Sequence, residues 1–483
     1  MTVRIAVLAD LGQDIYHAGD EAMGHAAVDE LRSRGLQVLL LSRNPEQTRR
    51  LFGQDCTPTL AFPWPPAERE DYLLRIRAHL AGTAPLPEGD PALGLISELR
   101  NCDGVVIAGG GNLNSRYGWL LYERAAVVAI ARALNKPVVV SGQTLGPQLT
   151  AADAGVLADL LGAAQLRSVR EQSSAELARR LGVPAVAGLD DASFLTGTNV
   201  SDPPEPGYVA VTVSPHSGSP DNFYALLGAE LDSLHRRTGR PAVFIPHFGV
   251  GDAEEWDAAA HARIADAMSS PFRSFPVLTA REAAALTAGA ALIVTSRYHP
   301  AVFGLSHSVP VAALAVDDYS AVRLRGVLAN WGLEDFALPL PALQEGLLSE
   351  ALAEAWERRA EIAAHLTAVL PSRKAWTKQW WDGAAAVFSK QSAPAPVQDL
   401  PPAPVLRAAG QWAPAAEDLG CGFYPRSALT GQAAAEEERL ASHLARRDGE
   451  LNSVREEYQR LRNSRTVRAA LSLHRVCAKL RRR

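Results

Sequence analysis

The sequence is poor in cysteine, with four in 483 residues, and these four lie far apart in the chain. None of them (Cys56, Cys102, Cys421 and Cys477) belongs to a CxxC motif. Disulfide frameworks are typical of short secreted chains dense in cysteine, and structural zinc sites use closely spaced pairs such as CxxC. We therefore expect reduced thiols and a cytoplasmic location, and the His and Cys spacings predict no metal site.

Long apolar runs and a strong excess of one charge are also lacking. No window approaches the ~18 apolar residues that a membrane-spanning helix needs. The first ten residues, MTVRIAVLAD, fit a short strand better than a secretory leader. The net charge is −5 and the pI is about 6.2, which does not favour a nucleic-acid partner for the chain as a whole.

What the chain does have is a regular alternation of strand-like and helix-like segments up to about residue 345. Apolar runs such as Val3–Ala9 and Val38–Ser42 are each followed by amphipathic sequence, a pattern that predicts parallel sheets covered by helices. The alternation breaks at TGTNVSDPPEP, residues 196–206, and restarts at Tyr208. The sequence thus predicts an α/β fold of two doubly wound, Rossmann-like domains, 1–198 and 206–345, which face one cleft.

Four further segments follow the second predicted domain. Residues 346–390 look helical, and their four tryptophans are expected to dock on the body. Residues 391–430 are rich in Ala and Pro and are expected to form a mobile linker. The apolar spacing of 431–462 predicts a short coiled coil and self-association. The basic segment 461–483 is compatible with peripheral contact to an anionic membrane surface or with a solvated helix.

Polar and cationic side chains follow two apolar runs between Ala291 and Gly326. The first run ends in SRYHP, which contains Arg297 and His299, and the second ends in DDYS, which contains Tyr319. In open α/β sheets, ligands bind at the carboxyl ends of the strands. An arginine and a histidine there can hold an anion and exchange a proton. Alternatively, Arg297 pairs with a nearby carboxylate and His299 caps the next helix.

Several other strand ends carry candidate ligand-binding residues. The turn GGGNL, with Gly110, Gly111 and Asn112, lets the backbone approach a ligand closely, although a tight strand–helix turn explains it equally. Gln143 of GQTLGP is placed to reach a sugar hydroxyl, and Arg170 of SVRE either points into the cleft or pairs with a carboxylate. Asp20 of GDEA binds substrate or caps its helix.

In this order, the segments GDEA, GGGNL, GQTLGP, SVREQSSAELARRLGV, DDASFL, SRYHPAVFGLSHSVPVAAL, DDYS and RLRG resemble the polysaccharide pyruvyl transferase family. The resemblance covers about residues 3–345. It implies a GT-B-like two-domain fold, phosphoenolpyruvate as the donor substrate with no other cofactor, a saccharide acceptor that could be lipid-linked, and a pyruvate ketal product of cell-wall or surface polysaccharide synthesis. Arg323 stands where the family often has Lys.

The resemblance matches Arg297 and His299 to the family's donor-site signature, and Arg170 to the arginine of its mid-chain SxRE/D motif. The two arginines would bind the carboxylate and phosphate of the donor, and His299 would be the general acid. The further substrate-binding candidates are Asp20, Gly110, Gly111, Asn112, Gln143, Tyr319 and the two histidines that follow strands of the second domain, His216 and His247.

Two other functions remain open from the sequence. A GT-B glycosyltransferase that uses a nucleotide sugar would share the two-domain plan, with a diphosphate at a helix N-terminus. An inactive scaffold of a surface-polysaccharide assembly complex would use the tail alone. The presence of Arg170, Arg297 and His299 argues against the scaffold.

Overall fold

The structure is a computed structural model, and it describes residues 3–63, 66–215, 220, 222–249, 256–389, 396–424 and 454. His216 and, apart from Val454, the segments predicted as a coiled coil and a basic helix lie outside these residues. No helix in the described part of the chain is both long and apolar enough to cross a membrane.

Strands and helices alternate along the two predicted domains. The strands are β1 (Arg4–Leu8), β2 (Tyr16–His17), β3 (Gln37–Ser42), β4 (Asp55–Pro58), β5 (Gly104–Ile107), β6 (Gly110–Leu113), β7 (Val138–Leu145), β8 (Leu166–Val169), β9 (Val186–Ala187), β10 (Val209–Thr212), β11 (Ala242–Phe244), β12 (Phe248–Gly249), β13 (Phe272–Ser274), β14 (Leu292–Thr295), β15 (Val311–Ala315) and β16 (Ala337–Pro339).

The helices are α1 (Ala18–Ser33), α2 (Pro45–Phe52), α3 (Pro66–Leu80), α4 (Pro91–Arg100), α5 (Gly118–Ala133), α6 (Ala151–Ala163), α7 (Gln172–Arg180), α8 (Phe223–Thr238), α9 (Asp257–Asp266), α10 (Ala280–Ala288), α11 (Tyr298–Ser306), α12 (Asp318–Ala329), α13 (Pro341–Gln344), α14 (Leu347–Glu357) and α15 (Arg359–Phe388). Two short 3₁₀ helices lie at Asp191–Phe194 and Glu334–Phe336.

Both large sheets are parallel and doubly wound. The first has the order β4-β3-β1-β5-β7-β8-β9, with β6 beside β7, and the second has the order β13-β11-β10-β14-β15-β16. In each, the chain starts in the middle, adds strands on one side and then crosses to the other. The switch points lie between β1 and β5 and between β10 and β14, which is where ligands bind in such sheets.

Alternating side chains of the first sheet enter two separate apolar cores. Ala6 and Leu8 of β1 pack on one face, and Ile5 and Val7 pack on the other. Because helices cover both faces, the strands are apolar throughout rather than alternately polar. The second face is covered partly by α15, whose Trp376, Trp380 and Trp381 are buried there.

Residues 396–424 pack on the body, which differs from the mobile linker that composition predicted for 391–430. The Trp376 indole donates to the carbonyl of Gln398 (2.9 Å), and Leu400 N–H donates to Ala187 O (2.7 Å). Further along, the Trp412 indole is buried and donates to Glu354 Oε2 (2.8 Å). A Pro/Ala-rich composition predicts the absence of regular secondary structure, but the apolar and backbone groups of this segment still find partners. Residues 412–424 are helical.

Candidate active site

The candidate site lies in the cleft where the carboxyl ends of both sheets face each other. On one side of the cleft, β2 pairs antiparallel with β12, His17 opposite Phe248, and Ala18 N–H donates to His247 O (2.8 Å). On the other side, the Tyr319 hydroxyl donates to Gly111 O. The two domains are therefore in direct contact at both edges of the cleft.

His299 lies at the centre of this arrangement, in the first turn of α11. Its side chain is buried, and Nε2 is 3.8 Å from Asp190 Oδ2 and makes no hydrogen bond to the described residues. The ring also lies against Gly19, where any side chain would collide with it. Burial, then the charge of Arg170, hold the pKa of His299 well below its usual value, so the unliganded ring is neutral.

Arg170 follows β8 and is almost completely buried. Its Nη1 pairs with Asp190 Oδ2 (2.6 Å), Nε donates to Thr144 Oγ1 (2.8 Å), and the guanidinium lies 4.2 Å from the centre of the Tyr298 ring. Arg170 therefore forms the ion pair with a carboxylate that the sequence left open as an alternative. Nη2 is directed towards the turn GGGNL (residues 109–113), called the glycine turn below. It lies 2.9 Å from the position that a Cβ at Gly111 would take.

Arg297 precedes α11 and is likewise held by a carboxylate. Its Nε and Nη2 contact both oxygens of the fully buried Asp257, with Nη2 2.5 Å from Oδ1. The same carboxylate accepts the backbone N–H of His247 (3.0 Å). The side chain of Arg297 is 23% exposed, so part of the guanidinium still reaches the cleft.

Arg323 of α12 is a half-buried cation with no carboxylate partner among the described residues. Its guanidinium stacks 3.8 Å from the centre of the Tyr319 ring and 5.8 Å from that of Tyr298. Its charge contributes to the lowered pKa values of both His17 and His299, so it acts within the cleft. Of the three arginines described in this cleft, it has the most free hydrogen-bonding capacity for an anion, since its one hydrogen bond runs from Nε to Tyr319 O (3.4 Å).

The wall of the cleft formed by the first domain is acidic. Asp20, in the first turn of α1, accepts a hydrogen bond from Gln13 Nε2 (3.2 Å), and its Oδ2 is 3.3 Å from His17 Nδ1. Burial and the nearby charge of Asp10 raise the pKa of Asp20 to about 7. The N-cap of α1 is His17, whose Nδ1 accepts Asp20 N–H (3.2 Å), so Asp20 does not have the capping role that the sequence left open.

Buried polar side chains form a hydrogen-bonded network against the glycine turn. Asp191 accepts Gly109 N–H (2.7 Å) and the Ser141 hydroxyl (2.5 Å), and Ser141 in turn accepts the Trp380 indole N–H (2.8 Å). Gln143 is fully buried under the turn and donates to backbone carbonyls, including Ser141 O (3.0 Å). Its side chain is part of this support and does not extend freely into the cleft as the sequence suggested.

A model of the polysaccharide pyruvyl transferase family matches residues 17–318, more than half of the chain, including the stretch from the start of α1 to the start of α12. The chain belongs to the polysaccharide pyruvyl transferase family. Members of this family are enzymes, and a saccharide acceptor is consistent with the family. A search of curated proteins gave no significant match.

Solved structures with the same architecture confirm the GT-B-like fold of this pyruvyl transferase family member. A Listeria monocytogenes protein designated a UDP-N-acetylglucosamine 2-epimerase has a TM-score of 0.56, with 11% identity, over 83% of this chain and 99% of its own. Anabaena HepE, solved with UDP, has a TM-score of 0.51, with 13% identity, over 80% of this chain and 100% of its own. At such identities the likeness establishes the fold alone.

The structure brings most of the predicted residues of this transferase together and adds four. Arg170, Arg297, His299, Asp20, Gly110, Gly111, Asn112 and Tyr319 all lie around the cleft. His247 is buried beside it, with both ring nitrogens unpaired and a pKa lowered to about 3 by burial. The sequence-based candidates did not include Asp10, Asp190, Asp191 or Asp257. Asp10 lies two residues after β1 and could have been found by its place at a strand end, whereas Asp257 is the first residue of α9.

Among the residues that the structure describes, no group of three His, Cys, Asp or Glu side chains is arranged to hold a metal ion.

Proposed function

We propose that this enzyme transfers a pyruvyl group from phosphoenolpyruvate to two hydroxyls of one saccharide, as a cyclic ketal, in the synthesis of a cell-wall or surface polysaccharide. The single observation that carries the proposal is the presence in one cleft of Arg323, which has no carboxylate partner among the described residues, and of the buried His299, whose Nε2 makes no hydrogen bond to them. Family membership supports the reaction class.

The cations of the cleft suit a donor that carries both a carboxylate and a phosphate. Arg323 would take one anionic group without displacing an existing ion pair. Arg297 would contribute the edge of its guanidinium that Asp257 leaves free, and Arg170 would contribute Nη2. Guanidinium forks match carboxylate and phosphate oxygens in geometry, which favours them over point charges.

His299 would donate the proton that the methylene carbon of the donor receives. Its ring is neutral in the unliganded cleft, and a bound polyanion would raise its pKa because the anion offsets the neighbouring arginines. The free Nε2 is the atom that would carry this proton. Asp190, 3.8 Å away, would stabilise the resulting imidazolium. General acid catalysis of this kind contributes ~10²–10⁴ in rate.

Asp20 would accept the proton of the attacking hydroxyl from the opposite wall. The first hydroxyl oxygen bonds to the donor carbon that bears the phosphate, while the methylene becomes a methyl group. Phosphate then leaves with its bonding electron pair, the second hydroxyl attacks the same carbon, and its proton is released. The sum is donor plus diol giving ketal plus phosphate, with no water, oxidant or reductant consumed.

The test is an assay of purified full-length protein with phosphoenolpyruvate and a panel of free, nucleotide-linked and lipid-linked saccharides. We expect phosphate release matched by the mass gain of a pyruvate ketal on one acceptor. A parallel set of reactions supplies UDP-sugars as donors. Transfer of a sugar rather than of pyruvate would replace this proposal by a nucleotide-sugar glycosyltransferase. A His299→Gln variant should lower kcat far more than it weakens donor binding, since a general acid acts in the transition state.

A further inference from the structure

Tyrosine rings take the place of a carboxylate beside the guanidinium of Arg323. The guanidinium lies 3.8 Å from the centre of the Tyr319 ring and 5.8 Å from that of Tyr298. Its Nε donates to Tyr319 O (3.4 Å), while Nη1 and Nη2 donate to none of the residues that the structure describes. A carboxylate would occupy these donors and cancel the charge, whereas the face of a ring attracts a cation and leaves its N–H groups free.

Arg323 is the middle cation of a row in which arginines and tyrosines alternate. At one end of the row Arg170 lies 4.2 Å from the centre of the Tyr298 ring, and at the other end Arg116 lies 5.4 Å from that of Tyr319. Each of these outer arginines is also paired with an aspartate. Within the described part of the chain, the middle arginine alone of the three is held without a carboxylate.

Two neighbouring helices bring the rings to Arg323. Tyr319 and Arg323 are four residues apart on α12 and therefore share one face of that helix. Tyr298 is the first residue of α11, which packs against α12, and the next residue is His299. The first turn of α11 thus carries both the proposed general acid and a ring that contacts the arginine without a carboxylate.

The ring of Tyr298, and not its hydroxyl, makes these contacts. The side chain is 3% exposed, and the hydroxyl has no hydrogen-bond partner among the described residues. Burial raises the pKa of Tyr298 well above its usual value, so the hydroxyl keeps its proton and gives the arginines no negative charge. The attraction is therefore between cations and a neutral ring, which a phenylalanine would supply as well.

The Tyr298 ring brings together two cations that would otherwise repel each other. Arg170 is fixed by its ion pair, but a half-buried arginine without one keeps its conformational freedom unless another attraction holds it. On the basis of the proposed function, we infer that Tyr298 is a positioning residue of the donor site, whose ring holds Arg323 beside Arg170 with Nη1 and Nη2 free for the phosphate or carboxylate of phosphoenolpyruvate.

The first test compares two variants of Tyr298 by calorimetric titration with phosphoenolpyruvate. Tyr298→Leu keeps an apolar side chain but has no ring, and we expect it to bind the donor about 5- to 30-fold more weakly. Tyr298→Phe should restore an affinity within about twofold of wild type. Trp356→Leu, which removes the contact of Arg359 with another ring (4.3 Å) outside the cleft, is the control and should match wild type. A loss in Tyr298→Phe as large as in Tyr298→Leu would assign the effect to the hydroxyl and overturn this inference.

The second test keeps the size of the ring, so that it does not depend on how well the core accepts leucine. Phenylalanines with none, one, two or three fluorine atoms are incorporated at position 298, because fluorine withdraws the electron density that attracts a cation. We expect donor affinity to fall with each fluorine, and the fall to be smaller when Arg323→Ala is also present.

The outcomes of the fluorine series separate the two proposals. Equal donor affinity across the series, or an equal fall with and without Arg323→Ala, would overturn this inference alone, since the ring would then not act through Arg323. Absence of phosphoenolpyruvate binding to the wild-type protein would overturn the proposed function together with it.

Discussion

Arg323 allows donor binding to be tested at a single residue without damage to the fold. Because no described carboxylate pairs with it, Arg323→Ala should leave the unfolding temperature near that of wild type. It should weaken phosphoenolpyruvate binding by the ~1.5–3 kcal/mol of a charged hydrogen bond, which is about 10- to 150-fold. Calorimetric titration measures this, and Arg325→Ala on the same helix, 45% exposed and 3.8 Å from Glu417, is the control. Unchanged donor affinity in Arg323→Ala would contradict the donor assignment.

Arg170 should behave differently, because its removal leaves Asp190 buried without a counter-ion. Breaking such a pair costs about 3–5 kcal/mol of the free energy of unfolding. We expect Arg170→Ala to be strongly destabilised in urea unfolding. A near-wild-type midpoint for this variant would mean that the Arg170–Asp190 pair contributes little to the free energy of unfolding.

Asp20 predicts the pH dependence of the reaction. Its pKa is raised from 3.8 to about 7, so the carboxyl is protonated below pH 7 and becomes able to accept a proton above it. The value of kcat/KM should therefore rise with pH through about 7, and Asp20→Asn should remove this rise and lower kcat by ~10²–10⁴. The exposed Asp14→Asn is the control. A pH profile that is identical in wild type and Asp20→Asn would exclude Asp20 as the base.

At the scale of elements, the packed segment 396–424 determines where the chain can be shortened. Ending the chain at Ser389 removes Trp412 from its contact with Glu354 and uncovers the α15 surface around Trp376. We expect that protein to unfold at a lower temperature and to lose activity. A chain ending at Leu429, the limit of the compact unit that holds both domains, should keep activity on a free saccharide.

The same pair of truncations addresses the basic tail. Each basic residue near an anionic membrane surface contributes ~1 kcal/mol to binding. The arginines and the lysine of the tail therefore predict that full-length protein sediments with anionic vesicles at low salt and that the chain ending at Leu429 does not. Equal sedimentation of the two proteins would exclude a membrane role for the tail. Full activity of the chain ending at Ser389 would show that segment 396–424 is dispensable.

At the scale of the whole molecule, closure of the cleft depends on polar contacts between the domains. Arg116 of the first domain pairs with Asp317 of the second (2.9 Å), next to the Tyr319–Gly111 contact. We expect Arg116→Gln to raise the KM for both substrates several-fold, with a smaller change in kcat, because a looser cleft binds less well but contains the same reacting groups. Steady-state kinetics measures this. Arg237→Gln, which breaks an exposed pair with Glu357, is the control and should match wild type.

Local patterns in the amino-acid sequence were enough to predict the fold class and the edge of the sheets at which the site lies. Apolar runs followed by amphipathic segments specify parallel strands and covering helices locally, and the carboxyl ends of such strands must meet at one edge. The segments that carry Arg170, Arg297 and His299 could therefore be assigned to one cleft, and their order was enough to identify the family resemblance.

The partner of each of these side chains, in contrast, could be identified only in the folded chain. Asp257 lies 40 residues before Arg297 and Asp190 lies 20 after Arg170, and no local periodicity relates them. The same holds for Gln143, which composition could not distinguish from an exposed ligand, and for the Pro/Ala-rich segment, whose packing depends on Glu354 and Ala187 elsewhere in the fold. Burial and ion pairing are properties of residues brought together from distant parts of the chain, and these long-range contacts determine which arginine is left free for a substrate.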